Sequence, residues 1–261
     1  MATPLTDSIN ALTQYANETT GKQDVTLSDA VGSLVEGYGG GSDDGHIVSN
    51  ALSAQGMFYT NDETINHKPQ LPKKMEFDLP YCSNISNLFQ QYLHYPQYNL
   101  GVEEVTLKLY YPCSCIQAFY RNKSIKTINL PNGLTIRGDS NMFSDAVIEV
   151  INGTISYTSN ASITTGAFSD AYNLREIRFA EDNIHNSQTY GSSVLSDESL
   201  VSIANGLDGT VTGKTLKLHA TAKNNCSAIT GTNDNGTFIA DPNGTLTLAD
   251  FITTVKGWTL A

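Results

Sequence analysis

The sequence predicts an α+β chain dominated by a β-solenoid: a short N-terminal helical anchor, a small irregular repeat array, and a helical C-terminal cap. Three observations carry this prediction. Phenylalanine recurs behind a small or polar lead-in at Asn87-Leu88-Phe89, Gln117-Ala118-Phe119, Asn141-Met142-Phe143 and Gly166-Ala167-Phe168. Apolar residues then follow Phe119 (Ile125, Ile128, Leu130) and Phe168 (Leu174, Ile177, Phe179) at the same offsets of 6, 9 and 11. Finally, 39% of residues are hydrophobic and 16% charged, which is thin for a compact enzyme but suits a core reduced to a narrow stripe between stacked units.

Residues 1–38 form the expected anchor. Ile9, Leu12 and Tyr15 are spaced for one face of a first amphipathic helix, which Thr19-Thr20-Gly21 ends. Ser28 suits the N-cap of a second helix carrying Ala30, Val31, Leu34 and Val35, and Leu27 just before the cap joins Val31 and Leu34 as an anchor candidate. Helices this short bury too little surface alone, so their stripes need copies of themselves or a larger assembly. The alternative is a helical hairpin packed on the rest of the chain. Residues 39–46, rich in glycine and aspartate, read as a hinge.

The array is expected over 47–194. Alternation points Ile128, Leu130, Ile177 and Phe179 inward and Asn129 and Arg178 outward. The unit after Phe89 is delayed by seven residues, to Val102, Val105 and Leu107; the unit after Phe143 comes early, around Ile148 and Val150. Phe77-Asp78-Leu79-Pro80 mirrors Ile128-Asn129-Leu130-Pro131 and opens the array. The resulting period, roughly 20–30 residues, is that of leucine-rich repeats. Residues 195–261 close it, with a capped helix carrying Leu200, Ile203 and Leu207, a strand at Leu216-Lys217-Leu218, and a last short helix or strand-helix unit from Leu246 to Val255.

Gly166 to Phe179 and Gln117 to Pro131 resemble the BspA-type leucine-rich repeats of bacterial and phage surface proteins, in the order Ala-Phe, polar turn, Leu-x-x-Ile-x-Ile. The segment from Leu195 to Leu207 and the ending Lys256-Gly257-Trp258-Thr259-Leu260 resemble closing segments of such arrays. Leu5 to Gly21, Thr26 to Gly32 and Gly37 to Gly41 are similar to leader modules on structural proteins of phages and prophages of gut Firmicutes. The resemblance implies a non-enzymatic virion protein: a fibre, decoration or receptor-binding protein made in the bacterial cytoplasm and displayed on the particle. It implies a homo-oligomer, a trimer by the habit of phage fibres. Other virion proteins would meet its N-terminus and a host-surface or mucosal glycan or protein its repeats. A bacterial cell-surface adhesin of the same repeat class is the alternative, and a glycan-active enzyme a third reading.

The net charge of −11 argues against a nucleic-acid partner held through a basic field. No apolar run has the length of a membrane span, and no secretory signal is visible, so Cys82, Cys113, Cys115 and Cys226 are expected as reduced, mostly buried thiols. No cofactor, metal or catalytic set is expected. Gly209 to Thr215 is one residue short of a phosphate-binding loop and leads into a strand. Cys113-Ser114-Cys115 lacks zinc spacing. The sites around Asn233 to Gly236 and Asp241 to Gly244 lack the glutamate of a calcium loop and read as turns. One constellation points to recognition: Tyr92, His94, Tyr95 and Tyr98 in the delay after Phe89, with Tyr110 and Tyr111 just past the next strand. Tyrosine couples a large rigid contact to a polar tip. The competing reading packs some of these rings against the side of the array.

Overall fold

The computed structural model describes residues 44–48, 72–90, 101–162 and 166–261. They form a mixed α/β molecule with a curled parallel sheet and few helices. The sheet comprises β1 (Asp44–Val48), β2 (Lys74–Leu79), β3 (Glu104–Leu109), β4 (Cys113–Ser114), β5 (Thr127–Asn129), β6 (Leu134–Gly138), β7 (Val150–Ser162) and β8 (Glu176–Phe179). Pairing runs β1-β2-β3-β5-β7-β6-β4, and β8 joins β7. The long strand β7 serves two rows, because its first half pairs with β5 and β8 and its second with β6. All of these pairs are parallel.

Alternation builds the core. In β2 and β3 every second residue is buried: Met75, Phe77 and Leu79, then Val105, Leu107 and Leu109. Ile128 pairs with Val105 on one side and Ile151 on the other, all three buried. Phe89, Phe119, Phe143 and Phe168 lie behind this wall in one stack, with successive ring centroids 5.7, 5.5 and 5.2 Å apart, and Tyr190 continues it at 5.1 Å. The polar lead-in has a conformational cause. Asn87, Gln117 and Asn141, each two residues before a phenylalanine, hold φ between 53 and 58°. This left-handed corner is most accessible to asparagine among residues with a side chain.

Register corrects two expectations. Phe77 stands opposite Leu107 rather than Val105, so Met75, not Phe77, shares the row of Ile128. A two-residue slip keeps the same face inward, which is why alternation could not detect it. After Phe143 the inward residues are Ile148 and Ile151; Val150 faces outward between Thr127 and Glu176. The unit is thus one residue short at Ile151, and buried Ile155 stands opposite Phe179 in the third inward place, past an irregularity that holds Gly153. Its φ is +111°, and a Cβ there would lie 2.3 Å from the Leu130 carbonyl oxygen. The stretch expected as hinge also ends early, because Asp44, Gly45 and His46 already pair with β2. Parallel pairing uses only backbone groups, so linker composition does not forbid it.

The C-terminal region holds β9 (Gln188–Tyr190), α1 (Asp197–Gly206), β10 (Thr215–Leu218), α2 (Ala220–Ala228), β11 (Thr230–Asp234), β12 (Thr237–Ala240), β13 (Leu246–Thr247), α3 (Leu248–Asp250) running into a π-turn Phe251–Val255, and β14 (Thr259–Leu260). Ser196 caps α1 by accepting a hydrogen bond from the Ser199 N–H, and Asp197 and Glu198 favour the positive end of its dipole. The expected helix, the strand at Leu216 to Leu218 and the last strand-helix unit are therefore present. The anchor residues Ile9, Leu12, Tyr15, Leu27, Val31 and Leu34 lie outside the described residues. Among the described residues, no helix is long and apolar enough to cross a membrane.

Candidate functional site

Parallel strands end on a common edge, and here three neighbouring exits share a chemistry. Strand β2 runs into Pro80, whose missing N–H ends the ladder, and the turn closes with the Cys82 N–H donating to the Leu79 carbonyl at 3.3 Å. Tyr81 projects from that turn, 53% exposed. Leu109, the last residue of β3, pairs with Leu79; Tyr110 and Tyr111 follow, 54% and 53% exposed, and Pro112 ends the run. Past β5, Leu130 to Gly133 make a turn closed by the Gly133 N–H on the Leu130 carbonyl at 2.9 Å. Gly133 has φ +71°, and a Cβ there would press to 2.9 Å from the Thr154 carbonyl oxygen, so glycine lets the two chains approach.

The exits of β3 and β5 border an open depression of about 230 Å³, lined by Leu109, Tyr110, Tyr111, Pro112, Asn132, Gly133 and Thr135; Tyr81 stands outside this lining. Its lining carries phenol, amide and hydroxyl groups, and among the described lining residues there is no carboxylate, imidazole, ammonium or guanidinium. The Thr135 hydroxyl is hydrogen-bonded to the Ser156 hydroxyl at 2.9 Å, which fixes its rotamer. Beneath the ledge, Cys113 donates through Sγ to the Cys82 carbonyl at 3.2 Å, and Cys115 to the Cys113 carbonyl at 3.6 Å. All four cysteines are free and buried, as expected.

Two of the six expected recognition residues, Tyr110 and Tyr111, thus line this depression, while Tyr92, His94, Tyr95 and Tyr98 lie outside the described residues. Tyr81 escaped sequence reading. The signal was present, since Leu79-Pro80-Tyr81 and Leu109-Tyr110-Tyr111 place tyrosine at the same step beyond adjacent strands, but recognising it requires the register. Asn132 and Thr135 had no sequence signal; only the turn after β5 brings them to Tyr110.

Elsewhere the polar groups stitch elements together. Lys74 meets Glu104 at 3.3 Å, Lys108 meets Glu76, and Asn129 donates to Glu104 at 2.8 Å and accepts from Asn152 at 2.8 Å, a chain across the outward face of β2, β3, β5 and β7. Asn122 is buried; it donates to the Phe89 carbonyl at 3.2 Å and accepts from the Ser124 and Ile125 N–H groups at 3.0 and 2.7 Å. His185 Nδ1 and Asp208 Oδ2 are 2.8 Å apart, and the Trp258 indole donates to the Asp208 carbonyl at 2.9 Å, tying Trp258 to the segment that follows α1. The hydroxyls of Tyr157 and Tyr190 are buried without a hydrogen-bond partner, and burial pushes both phenols well above their usual range. Among the described residues, no group of three or more His, Cys, Asp or Glu side chains is placed to hold a metal ion. No family model matches the chain, and no curated protein or solved structure does.

Proposed function

We propose that this chain is a non-enzymatic recognition protein: a small BspA-like leucine-rich-repeat solenoid, carried on a phage particle by its N-terminal anchor, that meets a host surface through a ledge of tyrosines. The repeat part of the reading draws support from the parallel register, the phenylalanine stack and the recurring left-handed corner, which together give successive units the same path. The single observation that carries the functional part is the ledge itself. Tyr81, Tyr110 and Tyr111 each expose about half their surface at neighbouring strand exits. Adjacent strands lie about 4.8 Å apart, so the exits form a continuous contact strip rather than scattered rings. Exposed aromatics gathered beside an open depression are where recognition energy concentrates.

The test uses the full chain, fluorescently labelled, on a panel of gut Firmicutes cells. Wild type binds at least one strain, and Tyr110→Ser with Tyr111→Ser lowers affinity by about tenfold or more, equivalent to 1.4 kcal/mol. Cell binding that is unchanged by the double substitution in a folded protein overturns the reading.

A further inference from the structure

The chemistry of the depression selects among host-surface molecules. We infer that it binds a neutral oligosaccharide, an inference that rests on the recognition reading of the same ledge. A sugar ring offers an apolar C–H face and a rim of hydroxyls. The depression offers the complement: phenol rings of Tyr110 and Tyr111 for the face, and the Asn132 amide and Thr135 hydroxyl, each both donor and acceptor, for the rim.

Charge excludes the acidic alternatives. None of the described lining side chains carries charge, so among them a uronate, sialate or phosphate finds no counter-ion. Of the two cations next along the chain from the lining, Lys108 is held by Glu76, and Arg137 reaches the Ser83 carbonyl at 3.5 Å. The whole chain carries a net charge of −11, which repels polyanions before contact. A neutral glycan crosses that field without penalty.

Shape and stiffness point the same way. The depression is open, so a chain can pass through it. Pro112 and the closed turn at Gly133 hold the backbone in place, and a tyrosine has few rotamers to lose, so little ordering cost opposes a weak polar ligand. A globular protein partner would want a broad, closely packed patch, more than the seven described lining residues supply.

The test follows binding of the labelled full chain to the strain it recognises. Cells are treated with mild periodate, which cleaves vicinal diols, or with protease; surface glycans released from the same cells are split by anion exchange into neutral and acidic fractions and used as competitors. The inference expects periodate to abolish binding, protease to leave it, and the neutral fraction alone to compete. Tyr110→Ala and Tyr111→Ala should each weaken binding about tenfold. Tyr110→Phe should keep most of it, and Tyr172→Ala, which removes an exposed tyrosine outside the depression, should leave it unchanged. Binding that needs Tyr110 and Tyr111 yet survives periodate and falls to protease overturns the glycan and leaves the recognition reading standing. Competition by the acidic fraction alone, or by neither fraction, overturns it as well. Binding indifferent to both tyrosines removes both readings together.

Discussion

Asp208 shows how much one side chain can tie together here. Its carboxylate accepts at Oδ1 from the Thr210 hydroxyl and N–H, both at 2.7 Å, and meets His185 through Oδ2. Burial would push this carboxyl up; the Thr210 hydrogen bonds and His185 outweigh burial and hold it below the usual carboxylate range. A lowered folded pKa means the unfolded chain takes up the proton first. The stabilisation is therefore complete above the usual value of 3.8 and is lost as pH falls through the lower folded value. Asp208→Asn should reduce stability near pH 7 and flatten its decline below pH about 4, read by urea unfolding across the acid range. An unchanged pH profile in the variant would show that Asp208 has no share in acid unfolding.

Elements in a parallel sheet face a problem that single residues solve. Strand β8 is paired with β7 on one side, and its other edge would present unpaired N–H groups to any passing strand. Helix α1 covers that edge with two serines. The Ile177 N–H donates to the Ser199 hydroxyl at 3.0 Å and the Phe179 N–H to the Ser202 hydroxyl at 2.9 Å, while Ser199 donates onward to the Arg175 carbonyl at 3.0 Å. Two hydroxyls on a helix thus stand where another strand's carbonyls would be. Ser199→Ala with Ser202→Ala should cost about 1–3 kcal/mol for each stranded donor, seen as a lower Tm. The freed edge should also promote concentration-dependent self-association, measurable by light scattering. A variant that melts and sediments like wild type would mean the serines are ornamental to the edge.

At the scale of the molecule, the stacked core decides cysteine chemistry. Cys226 is pushed up to about 12, chiefly by burial. Burial raises Cys115 as well, and the contact with Cys82, then burial, raises Cys113. The thiolate is the reactive form, so native protein should resist a thiol-labelling reagent, and all four cysteines should label at once on global unfolding. Fast labelling of any of them under native conditions would place it outside the core. The phenylalanine stack is continuous with Tyr190 and reaches Phe179, which bridges to Tyr157 at 6.2 Å, so the sheet and the C-terminal region share one hydrophobic cluster.

Much of the interior was legible in the sequence because period and spacing are local properties. Equal offsets after Phe119 and Phe168 located Ile128 and Ile177 on the buried face, and the Ser196 cap with the Leu200 and Ile203 stripe located α1. What alternation could not resolve was which residue stands beside which: Met75, not Phe77, opposite Val105, and Ile151 in the place expected for Val150. Tyr110 and Tyr111 could be singled out by residue type and position past a strand. Tyr81 and Asn132, in turns, and Thr135, in β6, could not, because they lie apart along the chain and reach the common edge only through strand pairing. Period alone told which residues turn inward in β2, β3, β5 and β8, since a period of two survives any even slip; after Phe143 a one-residue slip put Ile151 inward in place of Val150. The tertiary structure alone decided register and the composition of the ledge, since both depend on backbone hydrogen bonds between distant segments, and those bonds carry no side-chain signature.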